Sequence, residues 1–252
     1  MSIIQAIILG IVQGLTEFIP VSSSGHLVLL HQAFGITDGG LTFDVALHVG
    51  TLLALICFFW RELAALLTAL FRQGKQTRLT WLLIFATIPA AVIGFLLEGA
   101  AESAVRSPLL VSSNLSVFGL VMLLAEKYIA TRKKRTQLEN SSRKQAIGMG
   151  LAQAAAVVPG ISRSGSTITA GLFLGMDRVA AMRFSFLLGV PIIAGAAAKV
   201  LMKQSTFTAI KDEPDIFIIG IVTAFITGLF AIKFLLSYLA KHSLAIFAYY
   251  RI

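Results

Sequence analysis

Charge is what this chain lacks. Of its 252 residues 13% are charged, about half the roughly 25% of a soluble domain. With 57% hydrophobic residues and a mean hydropathy of +0.86, this excludes a soluble globular protein and implies an all-α polytopic membrane protein. Cysteine is nearly absent. The one Cys57 excludes an intramolecular disulfide and says nothing about redox compartment. No basic stretch precedes the first apolar run, so a cleavable signal peptide is not expected. Acidic residues are scarce too: 12 against 21 basic ones, a net charge of +9. That excess does not point to nucleic acid. About half of the basic residues fall in two loops, at 72–78 and around 131–144. Basic loops beside spans mark the cytoplasmic side, and contact with anionic lipid follows from their position.

A span needs about 20 apolar residues. Full spans are expected at 43–60, 79–97, 109–130, 179–202 and 216–239, with a short, partly crossing segment at 243–252. Residues 61–71 are expected to continue the first of these helices amphipathically towards the basic loop. Two regions, 3–35 and 145–175, are apolar but interrupted midway by polar residues. Each half is too short to cross, so both read as re-entrant helix hairpins, whose irregular backbone survives at membrane depth only inside protein or beside a wet cavity. About six transmembrane helices plus two hairpins result. With loops 72–78 and 131–144 inside, loops 36–42 and 98–108 (with Glu98, Glu102 and Arg106) lie outside, and the hairpins enter from opposite sides. At an offset of 140, Gln5, Ala6, Ile7, Gly10, Gln13, Ser22, Ser24 and Gly25 meet identical residues. The chain thus reads as one membrane domain, 1–252, built as an inverted-topology repeat. Its halves, 1–108 and 145–240, are joined by span 109–130 and basic loop 131–144. Such repeats place their site near the midplane, where the broken helices meet.

The two interruptions run from Gln13 through Glu17, Pro20, Ser22, Ser23, Ser24 and Gly25 to His26, and from Gln153 through Pro159, Gly160, Ser162, Arg163, Ser164, Gly165 and Ser166 to Thr167. Ionisable groups in lipid are costly and mark function. The hydroxyls, the helix N-termini after each break and the Arg163 fork together suit phosphate. Glycines such as Gly25 and Gly160 let backbone amides come close to a ligand. A carboxylate would repel that anion, and a divalent metal shared between Glu17 and phosphate resolves the conflict. His26 offers proton transfer near neutral pH and Ser23 a nucleophile. The structural alternatives are a serine that caps the second half-helix, a Glu17–Arg163 pair that only holds the tips together, and His26 as an interhelical contact. Asp44 and His48, four residues apart, either extend the site or pair with each other, and Gln13 and Gln153 occupy equivalent places beside it.

These motifs, with the Phe43–Thr51 segment between them, resemble the undecaprenyl-diphosphate phosphatase family of the bacitracin-resistance type, over essentially the whole chain. The resemblance implies hydrolysis of undecaprenyl diphosphate to undecaprenyl phosphate and inorganic phosphate, which recycles the lipid carrier of cell-wall synthesis and confers bacitracin resistance. It implies a bacterial inner-membrane enzyme, its site open to the external side, dependent on Mg²⁺ or Ca²⁺. Its partners would be the lipid diphosphate and membrane lipids, without nucleic acid, and a homodimer is compatible. Glu17, Ser23, His26 and Arg163 take catalytic roles, with Glu17 also at the metal. Ser22, Ser24, Gly25, Gly160, Ser162, Ser164 and Thr167 surround the diphosphate, with Gln13, Asp44, His48 and Gln153 behind them. The family often has Glu where this chain has Gln13, so Glu17 carries more of the metal role. Whether Ser23 or His26 attacks stays open. A transporter or lipid flippase is the rival from another class, since inverted repeats with broken helices are also transporter architecture. The phosphatidic acid phosphatase superfamily fits poorly: no His follows Ser162-Arg163 closely.

Overall fold

The computed structural model describes residues 1–36, 40–72, 74–96 and 107–252. The described helices are α1 (Ile3–Phe18), α2 (Ser23–Phe34), α3 (Gly40–Phe58), α4 (Trp60–Ala69), α5 (Lys75–Leu96), α6 (Pro108–Ala130), α7 (Arg143–Ala155), α8 (Arg163–Phe173), α9 (Arg178–Leu201), α10 (Gln204–Asp212), α11 (Pro214–Leu239) and α12 (Ala245–Arg251). Among the described residues there is no sheet, only an isolated bridge between Thr136 and Met176.

Four described helices, α5, α6, α9 and α11, are long and apolar enough to cross a membrane, and five spans result if α3 and α4 count as one. The chain is a multi-pass membrane protein with four or five candidate spans among the described residues, where the sequence reading expects about six. The segment at 243–252 yields only the seven-residue α12. The expected continuation of the first span through 61–71 does not form: α3 and α4 meet at 76°. The bend falls at Phe59, whose φ of −101° and ψ of 17° leave the helical region. Beyond it the sequence changes from uniformly apolar to amphipathic. Leu66 and Ala69 are buried, whereas Trp60 and Leu67 are exposed, and Glu62 bonds Arg183 at 3.0 Å. Such a stripe packs on one side and does not extend a span that is apolar all round. Glu98, Glu102 and Arg106, used in the loop-charge argument, lie outside the described residues.

The 140-residue offset reappears in the backbone. Ser2 and Ser142 each open a helix with a capping box, closed by Gln5 and Gln145. α1 and α7 are each followed by a break, and α2 and α8 restart 140 residues apart. Among the described residues only Ser22 (φ 72°) and Ser162 (φ 75°) have positive φ without being glycine. Gly35 and Gly175 then leave α2 and α8 with φ of 65° and 80°.

Small residues bring the broken helices against the spans. A Cβ on Gly10 would stand 2.9 Å from the Gly220 carbonyl oxygen, and one on Gly14 2.7 Å from that of Ala224, so α1 lies directly on α11. Gly150 meets the Ala86 carbonyl in the same way, setting α7 on α5. Close backbone approach replaces the hydrophobic drive that lipid does not supply. The larger buried cluster includes Phe18, Phe184, Phe186, Met122 and Ile168, the smaller one Leu9, Leu27, Phe43, Leu47 and Phe217. Phe95, Leu124, Phe230 and Phe234 face outward, as hydrocarbon surroundings allow.

Candidate active site

Each break is written in its residues. Pro20 has no amide to continue α1, and it holds Ile19 extended, with ψ 132°. α7 ends at Ala155, and the turns after it run on to Pro159 and to Gly160, whose φ is 90°. The chain re-enters a helix at Ser22 and Ser162, whose carbonyls accept from the His26 and Ser166 amides at 3.2 and 2.9 Å. Ser162 caps α8 through its hydroxyl, which accepts from the Gly165 amide at 3.1 Å. Ser22 makes no such bond; its hydroxyl lies 3.3 Å from that of Ser24. The serine cap expected on the first restart is therefore not formed by Ser22, and among the described residues no side chain caps the first amides of α2.

The two breaks meet at Glu17. One carboxylate oxygen, Oε1, accepts from Arg163 Nη2 at 2.6 Å. The other, Oε2, accepts from the Ser23 hydroxyl at 2.7 Å and from Gln13 Nε2 at 3.1 Å, and faces His48 Nε2 at 3.4 Å. The Glu17 carbonyl accepts from the Ser164 hydroxyl at 3.1 Å. The Glu17–Arg163 pair, an alternative in the sequence, thus forms. It lies on the wall of a cavity of about 340 Å³ lined also by Ser22, Ser23, Ser24, His48, Gln153 and Ser162. Apolar lining comes from α5 and α9 and includes Ala90, Ile192 and Ile193. Polar and apolar lining in one cavity suits a ligand with a charged head and a hydrocarbon tail.

Other expected residues lie elsewhere. His26 is not on the cavity wall. Its Nδ1 bonds the Ser22 carbonyl at 2.8 Å, so Nδ1 carries the hydrogen, and its Nε2 meets the Tyr250 hydroxyl at 2.9 Å. Thr167 is fully buried, its hydroxyl between the Arg163 carbonyl (2.8 Å) and the Ser185 hydroxyl (2.6 Å). Gly25 packs towards Val111 of α6. Gly160 turns its carbonyl to Arg251 at 2.8 Å. Asp44 and His48 do not pair through their side chains. His48 Nδ1 bonds the Asp44 carbonyl at 2.7 Å, and the Asp44 carboxylate faces His31 Nε2 at 3.1 Å. His48 therefore presents its imidazole edge to Glu17, a role the sequence left even with mere pairing. His31, Tyr250 and Arg251 carry no weight in the sequence reading. Arg251 was findable: an ionisable residue in an apolar terminal segment is itself a signal.

Two buried glutamines are incompletely bonded. Gln13 Oε1 and both polar atoms of Gln153 have no hydrogen-bond partner among the described residues. Such atoms are uncommon in native interiors and call for a ligand, ion or water.

The family model for bacitracin resistance protein BacA matches residues 6–252. A protein of Moorella thermoacetica named undecaprenyl-diphosphatase is 47% identical over 254 residues, covering 100% of this chain and 95% of the relative. The undecaprenyl-diphosphatase of Rubrobacter xylanophilus is 46% identical over 261 residues, with 100% and 95% covered. That of Alteromonas mediterranea is 41% identical over 260 residues, with 100% and 96% covered. With two helix breaks closing on one carboxylate–guanidinium pair and matches along its full length, this chain belongs to the bacitracin resistance protein BacA family.

Proposed function

We propose that this chain hydrolyses undecaprenyl diphosphate to undecaprenyl phosphate and inorganic phosphate, recycling the lipid carrier for cell-wall synthesis and conferring resistance to bacitracin. The observation that carries this reading is the Ser23 hydroxyl donating to Glu17, whose other oxygen holds Arg163, on the wall of one cavity. The relatives named undecaprenyl-diphosphatase support the substrate.

Each group has a task. The terminal phosphate sits against the uncapped amides of α2 and the hydroxyls of Ser22, Ser24 and Ser162, with Arg163 on its equatorial oxygens. Ser23 Oγ attacks the terminal phosphorus and its proton passes to Glu17 Oε2. The bond to the bridging oxygen breaks, undecaprenyl phosphate leaves, and water then hydrolyses the phosphoserine to inorganic phosphate. Catalysis rests on positioning and on charge stabilisation at the phosphoryl oxygens. Attack by His26 is the competing version; the bonds of its ring to Ser22 and Tyr250, away from the cavity, favour Ser23. His48 steadies the Glu17 charge.

A divalent cation, Mg²⁺ or Ca²⁺, belongs to the proposal. Among the described residues no three His, Cys, Asp or Glu side chains cluster to hold a metal. The donors that fit are the Glu17 carboxylate and the unpartnered amide oxygen of Gln153, both on the cavity wall and both hard oxygens. Mg²⁺ commonly binds through one or two carboxylates plus substrate phosphates. Bound there, it would neutralise charge on the diphosphate. The proposed setting is the bacterial inner membrane, with the hairpins as re-entrant members of an inverted repeat and the cavity open to the external side.

The test is inorganic phosphate release from undecaprenyl diphosphate by detergent-purified protein, with Mg²⁺ and after chelation. Activity should collapse in folded Ser23→Ala and Arg163→Ala and fall on chelation. No release from folded, unmodified protein across metals and detergents would refute the hydrolase and favour transport, which needs a sealed compartment to be seen.

A further inference from the structure

The C-terminal helix ends beneath both breaks. Arg251, 5% exposed, lies over the Phe118 ring at 5.8 Å. Its Nη1 donates to the Pro20 carbonyl at 3.2 Å. Its Nη2 donates to the Gly160 and Ile161 carbonyls at 2.8 and 3.0 Å. Its Nε donates to the Leu115 carbonyl of α6 at 3.2 Å. Pro20 belongs to the first break and Gly160 and Ile161 to the second. One planar group therefore bonds both tips and the span beside them.

The chemistry explains why the residue is arginine. Breaking a helix inside a membrane orphans carbonyls that water would otherwise satisfy. A guanidinium offers five N–H donors in a fixed fork, and a lysine ammonium offers three on a compact point charge. Room is kept for it: a Cβ on Gly165 would stand 2.9 Å from Arg251 Nη1. The helix that carries it is anchored at its other end. Glu126, buried in α6, accepts from the Leu244 amide at 2.7 Å and from Arg178 at 2.5–3.0 Å.

We propose that Arg251 is a positioning residue that sets the separation of the two tips. It touches no lining group of the cavity that the structure records. It holds Pro20, three residues before Ser23, and Ile161, two before Arg163, so that nucleophile, carboxylate and phosphate-binding cation converge. This inference rests on the hydrolase reading.

The experiment compares the unmodified chain with Arg251→Lys and Arg251→Met, each purified and checked for a monodisperse folded state. Amide hydrogen exchange is followed over residues 18–25 and 157–165, and kcat and KM for phosphate release are measured per folded molecule. In Arg251→Met, exchange should accelerate about tenfold at both tips together and not in α5. Its kcat should fall about 100-fold, the scale of a misplacement near 1 Å, with KM within about threefold. Lysine should restore part of the kcat. Exchange within about twofold at both tips, acceleration at one tip only, or unchanged kcat in the folded variants overturns the proposal. Failure of both variants to fold overturns it too, since Arg251 is then needed for folding. If the unmodified chain releases no phosphate, the hydrolase reading fails and the exchange data still decide what Arg251 does.

Discussion

Gly189 in α9 is bare because Arg163 lies across it. A Cβ built there falls on Arg163 Nη1, 2.6 Å from Cζ and 3.2 Å from Nη2. All three atoms belong to the end of a flexible side chain, so in Gly189→Ala the guanidinium gives way and the helix stays. What it leaves is the 2.6 Å bond to Glu17. A hydrogen bond to a charged group contributes about 1.5–3 kcal/mol. At about 1.4 kcal/mol per tenfold, kcat/KM for phosphate release should drop about 10- to 150-fold. Stability should fall by about 0.5–2.5 kcal/mol, because alanine in a helix interior gains roughly 0.5–1 kcal/mol over glycine and offsets only part of the lost bond. Gly195→Ala on the same helix is the control: its Cβ meets nothing within 4 Å, so activity should persist and the unfolding midpoint should hold or rise. The assay pairs kcat/KM in detergent with thermal unfolding of both variants. Gly189→Ala as active as Gly195→Ala would refute the placement of Arg163.

Glu17→Gln and Arg163→Met should each destabilise the fold by about 3–5 kcal/mol, since each leaves a buried partner uncompensated. The double variant should cost clearly less than their sum, and denaturant unfolding of all three would expose additivity if the pair is not coupled. His48→Gln should lower kcat about tenfold more than His26→Gln, because only His48 faces the carboxylate; the reverse order in steady-state assays would return proton transfer to His26. Ser22→Gly should raise the unfolding midpoint by the equivalent of about 1 kcal/mol, because positive φ strains a non-glycine residue and no side-chain cap is lost. A lowered midpoint would count against strain at that turn.

What could be read in advance follows the range of the forces involved. Glu17 and Arg163 were legible because a charge in an apolar run has few explanations, and the repeat was legible because Ser22 and Ser162 keep both identity and register. The turn at Phe59 was not. Residues 61–71 read correctly as amphipathic, Leu66 in and Leu67 out, but an amphipathic stripe does not by itself say that the helix turns by 76° before it. Tertiary partners were hidden as well. Asp44 had two histidines in reach, and helical spacing favoured His48, yet the side chain turned to His31. His26 drew attention through its nearness to Ser23 in sequence, but a helix restarting at Ser23 carries it to Tyr250. Arg251, more than 200 residues from Pro20, has no local pattern that names its partners.

Position by position, the two breaks put Ser23 where the other has Arg163, and Glu17 where the other has Val157. The backbone around them is nearly the same, with Ser22 and Ser162 at φ of 72° and 75°. Two identical short chains pairing face to face would have to present the same side chain twice: two serines without a cation, or two arginines without a nucleophile. Joining the copies in one polypeptide frees each to change alone. The asymmetry that sets a hydroxyl in one break against a guanidinium in the other is thus open to a single chain and closed to a pair of identical ones.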